Sequence, residues 1–276
     1  MTSLPLFVNP IKVTSENFSV PTTASALIYS GMHWDIPFLY YPGSTDSLFV
    51  MTPSAVDRKK HVLPAFNRFT WAANNLFPGH VICISDQTLC LHKSMKIGWC
   101  IGSVLHDLSD EIANLVNRLA MFLKIGNDKI TTWGSSAGGF SALAISFRIK
   151  NSTAVAINSQ IDVLKYSELD QVDLIKTFAF GRASEQVIRQ EYGHRVNIIE
   201  LKEKIRNSNR TIIIQNRADT HHFNVHFNQF VSRLGYAIKD GWSKYGDDNL
   251  YVYQDARGHI AENETMAKEI IEEYLP

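Results

Sequence analysis

Short apolar runs alternate with longer segments of helical spacing along the chain. Runs that are mostly apolar or β-branched, as in buried strands, occur at 25–30, 36–41, 47–51, 80–85, 129–133, 153–158, 210–215 and 250–254. Apolar residues at helical spacing predict a helix at 109–125, and small residues after a turn predict one at 137–148. Two further helices are predicted at about 222–234 and 262–274. Strands that alternate with helices in this way predict an α/β fold, with a mostly parallel sheet covered by helices on both faces.

Three segments depart from this regular alternation. The first two predicted strands are joined by too short a connection for a crossover helix, so we expect them to pair antiparallel. Residues 60–77 carry aromatic residues in a mixed pattern, which predicts a helix or a helix-like loop. Residues 160–208 are less regular, with two amphipathic stretches, and predict a small insertion that covers one edge of the sheet as a lid. No linker divides the chain, so residues 1–276 are predicted to form a single domain.

Composition and charge narrow the choice of partner. Hydrophobic residues make up 45% of the chain, and Lys+Arg and Asp+Glu both number 27, which gives a formal net charge of zero. This balance gives no reason to expect nucleic acid or an anionic membrane as a partner, and it leaves oligomerisation open. No stretch approaches the ~18 apolar residues of a membrane span, and no signal peptide is recognisable. The three cysteines, odd in number and without a repeated spacing, predict neither disulfides nor a zinc site. We therefore expect a cytoplasmic protein.

The strongest chemical signal is the pentapeptide Gly134-Ser135-Ser136-Ala137-Gly138, which fits the pattern G-x-S-x-G. It follows a predicted strand and begins a predicted helix, which is the setting in which a sharp turn projects a serine hydroxyl above a sheet. The register selects Ser136 as the nucleophile, because Ser135 would need glycine where Trp133 stands. The alternative interpretation is an ordinary glycine-rich turn, or one that binds phosphate.

A serine hydroxyl needs a general base, and the base needs an acid that orients it. His259 follows the last predicted strand, after Gly258, at the sheet edge where a loop would deliver an imidazole. Asp219 follows the strand at 210–215 and would hold the imidazole in the required tautomer. Triads built on a G-x-S-x-G turn have the chain order serine, acid, histidine, and Ser136, Asp219 and His259 follow that order.

Each of these two assignments has an alternative. His259 is one of ten histidines and could be a surface residue, and Asp219 precedes a helix and could be its N-cap. Asp162, which comes soon after the strand at 153–158, is the rival acid. Asp247 and Asp248 come too shortly before the last strand to be attractive.

Acyl transfer also needs donors for an oxyanion. The backbone N–H of Ala137, the residue after the nucleophile, is the first candidate. The second should come from the loop after the strand at 47–51. Pro53 has no N–H, so Ser54 or Ala55 is the candidate there.

A metal site is not predicted. His222 and His226 share a helical face beside His221, but no third ligand or HExxH-type partner is evident. The charged loop 57–60 is expected to be solvated surface, although it lies close enough to the oxyanion loop to meet an anionic substrate.

The chain order of Ser136, Asp219 and His259 resembles the α/β-hydrolase superfamily over roughly residues 25–275. Four segments also resemble bacterial capsule and surface-polysaccharide O-acetyltransferases of that fold: Phe49–Ala55 with its following basic residues, Gly134–Gly139, Ile157–Gln160 and Asp219–His222. The chain departs from that group at Ser54, where the oxyanion loop usually has glycine, and at Ala137, where a charged residue can occur. The resemblance implies an acyl-Ser136 intermediate, a carbohydrate hydroxyl or ester as substrate, and acetyl-CoA as the candidate donor.

Two functional hypotheses follow. The first is a serine esterase or O-acyltransferase that acts on a small-molecule ester or a carbohydrate, with no cofactor. The second is a catalytically inactive relative of the same fold that acts as a binding partner in polysaccharide biosynthesis.

Overall fold

A computed structural model describes residues 8–206 and 208–275. The strands in chain order are β1 (Ile11–Thr14), β2 (Ser25–Ser30), β3 (Asp35–Tyr41), β4 (Thr45–Met51), β5 (Gly79–Ile84), β6 (Ile130–Ser135), β7 (Thr153–Ile157), β8 (Arg210–Asn216), β9 (Gly241–Tyr245) and β10 (Asp248–Tyr253). The α-helices are α1 (Phe69–Ala73), α2 (Leu108–Leu123), α3 (Ala137–Arg148), α4 (Leu169–Leu174), α5 (Glu185–Val196), α6 (Ile198–Ile205), α7 (Asn228–Arg233) and α8 (Glu264–Tyr274).

All strands of the described residues lie in one ten-stranded sheet of order β1-β2-β3-β5-β4-β6-β7-β8-β10-β9. Its central run from β5 through β4, β6, β7 and β8 to β10 is parallel. The pairs β2–β3, β3–β5 and β9–β10 are antiparallel. The predicted mostly parallel sheet and the predicted antiparallel first pair are therefore confirmed. The edge strands β1 and β9 were not expected from the sequence.

Helices cover both faces of the sheet, as predicted. On one face, α2 packs its apolar side against the β2–β5 half, and α3 packs against α2 and against β6 and β7. On the other face, α1 and α8 cover a second layer of strand side chains that includes Trp133. Every residue of β6 and β7 is buried, which explains why these parallel strands consist of apolar, small or β-branched residues without a polar alternation.

Two segments differ from a simple strand–helix alternation. Residues between β7 and β8 form a helical insertion that contains α4, α5 and α6, and α6 packs against α3. Residues 60–77 are mostly loop, because only α1 is helical there. Within 8–206 and 208–275, no helix combines the length and the apolar character that a bilayer crossing requires.

Candidate active site

Ser136 lies at the junction of β6 and α3, at the carboxyl edge of the parallel strands. Its backbone has φ 55° and ψ −123°, a conformation that L-residues rarely adopt. The Ser136 N–H donates to the Ile157 carbonyl at 2.9 Å, which ties the turn to the neighbouring strand β7. Such a strained turn persists only where its surroundings fix it, and it holds the hydroxyl clear of the sheet.

Close packing at Gly134 makes this turn possible. A Cβ on Gly134 would lie 2.2 Å from Thr52 Oγ1 and 2.3 Å from the Gly138 carbonyl carbon. Thr52 Oγ1 lies 2.9 Å from the Trp133 carbonyl oxygen and 2.7 Å from that of Gly138. The Thr52 hydroxyl therefore links strand β6 to the first turn of helix α3. Glycine at position 134 is therefore a steric requirement of the turn.

His259 and Asp219 meet Ser136 in a continuous hydrogen-bonded chain. Ser136 Oγ lies 2.9 Å from His259 Nε2, and His259 Nδ1 lies 2.5 Å from Asp219 Oδ2. Both distances are those of hydrogen bonds. Asp219 is buried, whereas the His259 side chain is 38% exposed, so the imidazole faces a solvent-accessible opening. The three residues selected from the sequence are thus within direct reach of one another.

Asp219 is held as a carboxylate. Burial raises the pKa of its carboxyl group, but hydrogen bonds from His222 and His259 outweigh burial and hold that pKa well below its ordinary value. An ionised carboxylate only accepts hydrogen bonds, so His259 Nδ1 must carry a proton and donate it. His259 Nε2 is then free to accept the Ser136 hydroxyl proton.

A second set of polar side chains connects Asp219 to Ser136 by another route. Asp219 Oδ1 accepts from His222 Nδ1 at 2.9 Å, and His222 Nε2 lies 2.6 Å from Gln160 Nε2. Gln160 Nε2 also lies 3.1 Å from Ser136 Oγ. Gln160 Oε1 accepts from Trp99 Nε1 at 3.1 Å. Sequence reasoning assigned no role to Trp99, and it named Gln160 only as the end of a segment that resembles the O-acetyltransferases. It considered His222 as a metal ligand or as part of a polar helix face near the site, without this network.

The three oxyanion candidates have different hydrogen-bonding states. Ala137 is the first residue of α3, so its N–H has no partner within that helix. The Ser54 N–H donates to Asn67 Oδ1 at 3.0 Å, and the Ser54 hydroxyl donates to the Ser135 carbonyl at 2.8 Å. No hydrogen bond within the described part of the chain engages the N–H of Ala55, which is exposed. Of the two loop amides, Ala55 is therefore the one that remains available.

The rival acid Asp162 is engaged elsewhere. Its Oδ1 accepts from the Leu164 N–H at 3.0 Å, and its Oδ2 accepts from Arg189 Nη1 at 2.9 Å. Asp162 therefore caps a short 3-10 helix and anchors α5 of the insertion. Neither oxygen contacts His259.

Among the residues that the structure describes, Asp219, His222 and His259 form a group whose candidate metal-ligating atoms all lie within 4.8 Å of one another. Both imidazoles use Nδ1 to donate to the carboxylate. A cation bound through these Nδ1 atoms would need their protons removed, because a ligating nitrogen must be unprotonated. The donor set therefore fits a hydrogen-bonded acid–base site better than a metal centre.

A buried ion pair supports the turn at Ser136 from the sheet face that α1 and α8 cover, opposite to the face that α3 covers. Arg68 Nε and Nη2 donate to Glu262 Oε1 and Oε2 at 2.6 and 2.9 Å, and Arg68 Nη2 also donates to Ser135 Oγ at 2.9 Å. Trp133 Nε1 donates to Glu262 Oε1 at 2.7 Å. These contacts join the residue before Ser136 to the segment that follows His259.

No protein-family model matches the chain, and comparison with curated protein sequences finds no match. Solved structures do match. The capsule O-acetyltransferase of Neisseria meningitidis serogroup A has a TM-score of 0.60 at 12% identity, over 86% of this chain and 89% of that one. A mutant of that enzyme in complex with CoA has a TM-score of 0.55 at 12% identity, over 90% and 93%. An acetyl xylan esterase from Paenibacillus sp. R4 has a TM-score of 0.58 at 14% identity, over 91% and 83%.

These structural similarities and the mostly parallel sheet lead to the same fold. The protein has the α/β-hydrolase fold, as the sequence predicted.

Proposed function

We propose that this protein is a serine-dependent acyl-transfer enzyme, with Ser136 as nucleophile, His259 as general base and Asp219 as the acid that orients it. The observation that carries the proposal is the unbroken chain from Ser136 Oγ to His259 Nε2 at 2.9 Å and from His259 Nδ1 to Asp219 Oδ2 at 2.5 Å. The strained backbone of Ser136 supports the same conclusion, because this turn exposes a nucleophile.

In the first half of the proposed reaction, Ser136 Oγ attacks the carbonyl carbon of an acyl donor while its proton passes to His259 Nε2. Asp219 stays ionised and stabilises the imidazolium that forms. The N–H groups of Ala137 and Ala55 stabilise the oxyanion. The tetrahedral intermediate then collapses, its bond to the leaving group breaks, and His259 returns the proton to that group.

In the second half, the oxygen of an acceptor attacks the carbonyl carbon of the acyl-Ser136 ester as the acceptor's proton passes to His259. The carbon–Oγ bond then breaks, and His259 returns the proton to Ser136 Oγ. Water as acceptor gives an esterase, and a carbohydrate hydroxyl gives an O-acyltransferase. The names of the comparison proteins, a capsule O-acetyltransferase and an acetyl xylan esterase, support acetyl as the acyl group that is transferred. They also support a carbohydrate as the substrate, either as the hydroxyl that accepts the acetyl group or as the acetyl ester that is hydrolysed. Acetyl-CoA is the proposed donor for transfer, since the capsule enzyme is known in complex with CoA. A cytoplasmic location stays a prediction.

The first experiment tests whether Ser136 reacts. The protein is treated with a fluorophosphonate probe and with 4-nitrophenyl acetate, alongside Ser136→Ala and the matched variant Ser135→Ala. We expect labelling and hydrolysis by the wild type and by Ser135→Ala, and neither by Ser136→Ala. Equal absence of labelling in folded wild type and Ser136→Ala would instead favour an inactive relative that binds a partner.

The second experiment separates transfer from hydrolysis. The protein is incubated with acetyl-CoA and a panel of unacetylated capsule-type and xylan-type oligosaccharides, and separately with acetylated forms of the same sugars without acetyl-CoA. Both acetylated sugar and free acetate are measured. A transferase forms acetylated sugar in excess of acetate, and an esterase releases acetate from acetylated sugar without needing CoA.

A further inference from the structure

We propose that Gln160 is a further catalytic residue that donates a hydrogen bond to Ser136 Oγ, and that His222 positions it as a neutral imidazole with its proton on Nδ1. This inference rests on the proposed function, because it assigns a role at the same serine. It is carried by a closed ring of contacts that runs from Ser136 through His259, Asp219, His222 and Gln160 back to Ser136.

The orientation of the Gln160 side chain is fixed by Trp99. An indole Nε1–H can only donate, so the Gln160 atom 3.1 Å from it must be the amide oxygen. The amide nitrogen therefore points the other way, toward Ser136 Oγ at 3.1 Å and His222 Nε2 at 2.6 Å. Gln160 and Trp99 are both almost completely buried, so water does not compete for these bonds. Both protons of the amide nitrogen are used.

The tautomer of His222 follows from its two partners. Gln160 Nε2 can only donate, so His222 Nε2 must be the unprotonated acceptor. Its proton is then on Nδ1, which donates to Asp219 Oδ1 at 2.9 Å. A protonated His222 would direct an N–H at the Gln160 amide protons and lose that contact.

His222 also has an electrostatic reason to stay neutral. Its ring stacks on that of His259, with centroids 4.0 Å apart and an interplanar angle of 14°. Burial lowers the pKa of His222, and the nearby His259 and His221 lower it further, against the opposing effect of Asp219. When His259 becomes an imidazolium during acyl transfer, a neutral neighbour avoids repulsion between two stacked cations.

Gln160 acts on Ser136 Oγ in both halves of the reaction. While His259 removes the hydroxyl proton and the bond from Oγ to the carbonyl carbon forms, an N–H directed at Oγ stabilises the negative charge that develops there. When the acceptor oxygen bonds to that carbon and the carbon–Oγ bond breaks, Oγ departs with the electron pair and takes the proton from His259. The same N–H stabilises the departing oxygen.

The kinetic test compares Gln160→Met with Gln171→Met. Methionine preserves the length of the side chain and removes both donors. Gln171 is also a buried glutamine, but its partners are the Lys96 N–H and Asp170 in the insertion. We expect Gln160→Met to lower kcat for 4-nitrophenyl acetate about tenfold with KM unchanged, the effect of losing one hydrogen bond in the transition state. Gln171→Met should retain kcat, with a comparable change in melting temperature.

The spectroscopic test does not depend on turnover. Imidazole nitrogen-15 NMR distinguishes the two neutral tautomers from the cation, and the His222 signal is assigned by its loss in His222→Phe. We expect the neutral Nδ1–H form in the wild type at neutral pH. In Gln160→Glu the new carboxylate can only accept, so the His222 signal should change to that of the cation.

The outcomes separate this inference from the proposed function. If Ser136 reacts with no probe or ester, the proposed function is wrong, whereas the tautomer can still be measured. If Ser136 reacts but folded Gln160→Met turns over at the wild-type rate, Gln160 is not catalytic. A wild-type His222 signal from the Nε2–H tautomer would overturn the positioning role.

Discussion

The guanidinium of Arg68 and the carboxylate of Glu262 form a two-pronged ion pair inside the protein, with distances of 2.6 and 2.9 Å. The two side chains are only 8% and 0% exposed. Burial raises the pKa of Glu262, but the charge of Arg68 and hydrogen bonds from Arg68 and Trp133 hold that pKa below its ordinary value. Because Arg68 also contacts Ser135, the pair links the stability of the fold to the residue before the proposed nucleophile.

Glu262→Gln should therefore be strongly destabilising. The substitution leaves the Arg68 charge buried without a counter-charge, which typically costs about 3–5 kcal/mol of unfolding free energy. Chemical denaturation at pH 7 measures the loss. Asp240→Asn, which removes the partner of Arg217 in an exposed pair, is the matched control and should change stability little. Similar losses in the two variants would contradict this interpretation of the buried pair.

The same pair predicts a direction of pH dependence. A carboxyl group whose pKa is lowered by folding contributes stability in full above its unfolded pKa of about 4.3, and loses it as the pH falls through the folded value. The difference in unfolding free energy between wild type and Glu262→Gln should therefore shrink below about pH 4.3. Denaturation curves at several pH values test this, and a difference that grows on acidification would contradict it.

Asp219 and Asp162 can be separated by one pair of substitutions. Asp219→Asn removes the acceptor that fixes the His259 tautomer, and kcat should fall by about 10⁴ with KM little changed. Asp162→Asn should affect the stability of the insertion far more than kcat, because Asp162 contacts Leu164 and Arg189 rather than His259.

Asp248→Asn controls for the loss of a buried carboxylate, since its partners are Thr211 and Tyr236. A larger fall in kcat for Asp162→Asn would reverse the assignment.

The turn at Ser136 predicts a severe effect of one added methyl group. In Gly134→Ala the new Cβ meets Thr52 Oγ1 and the main chain of Gly138, neither of which can move without disturbing the turn. Overpacking of this kind costs about 1–3 kcal/mol, and we expect probe labelling of Ser136 to be lost as well. Gly126→Ala is the control, because its Cβ would meet only the exposed Asp128 side chain. Normal labelling in Gly134→Ala would show that the turn tolerates a side chain there.

The central strands of the sheet were predictable because burial on both faces leaves a pattern in each strand's own sequence. Strands such as β6 and β7 are buried on both faces, so every position must be apolar or small, and that pattern is visible without a structure. The edge strands β1 and β9 are partly exposed and lack such a pattern. Residues 60–77 contain aromatic residues in a mixed pattern that also fits a helix. In the structure those aromatic side chains pack on the sheet, but most of the backbone that carries them is loop.

The candidate site was predictable where chain order or a local steric requirement determines it. Ser136 is set by the small residues around it, and His259 and Asp219 follow the strands that bring them to the same edge. Gln160 has no such signature. Its contacts with Ser136 and His222 span 24 and 62 residues, and a glutamine after a strand has many ordinary roles. Only the folded geometry distinguishes it.

The oxyanion loop supplies the last prediction. The N–H of Ser54 is engaged by Asn67, so the proposed second donor is the N–H of Ala55. Ala55→Pro removes that N–H, and loss of one oxyanion donor typically lowers kcat about 10²–10³-fold. Ala55→Gly keeps the N–H and should keep kcat, which controls for loss of the methyl group. Circular dichroism and melting temperature establish that the proline variant is folded. A folded Ala55→Pro protein with wild-type kcat would exclude Ala55 and direct attention to an Asn67→Ala variant, in which the Ser54 N–H is released.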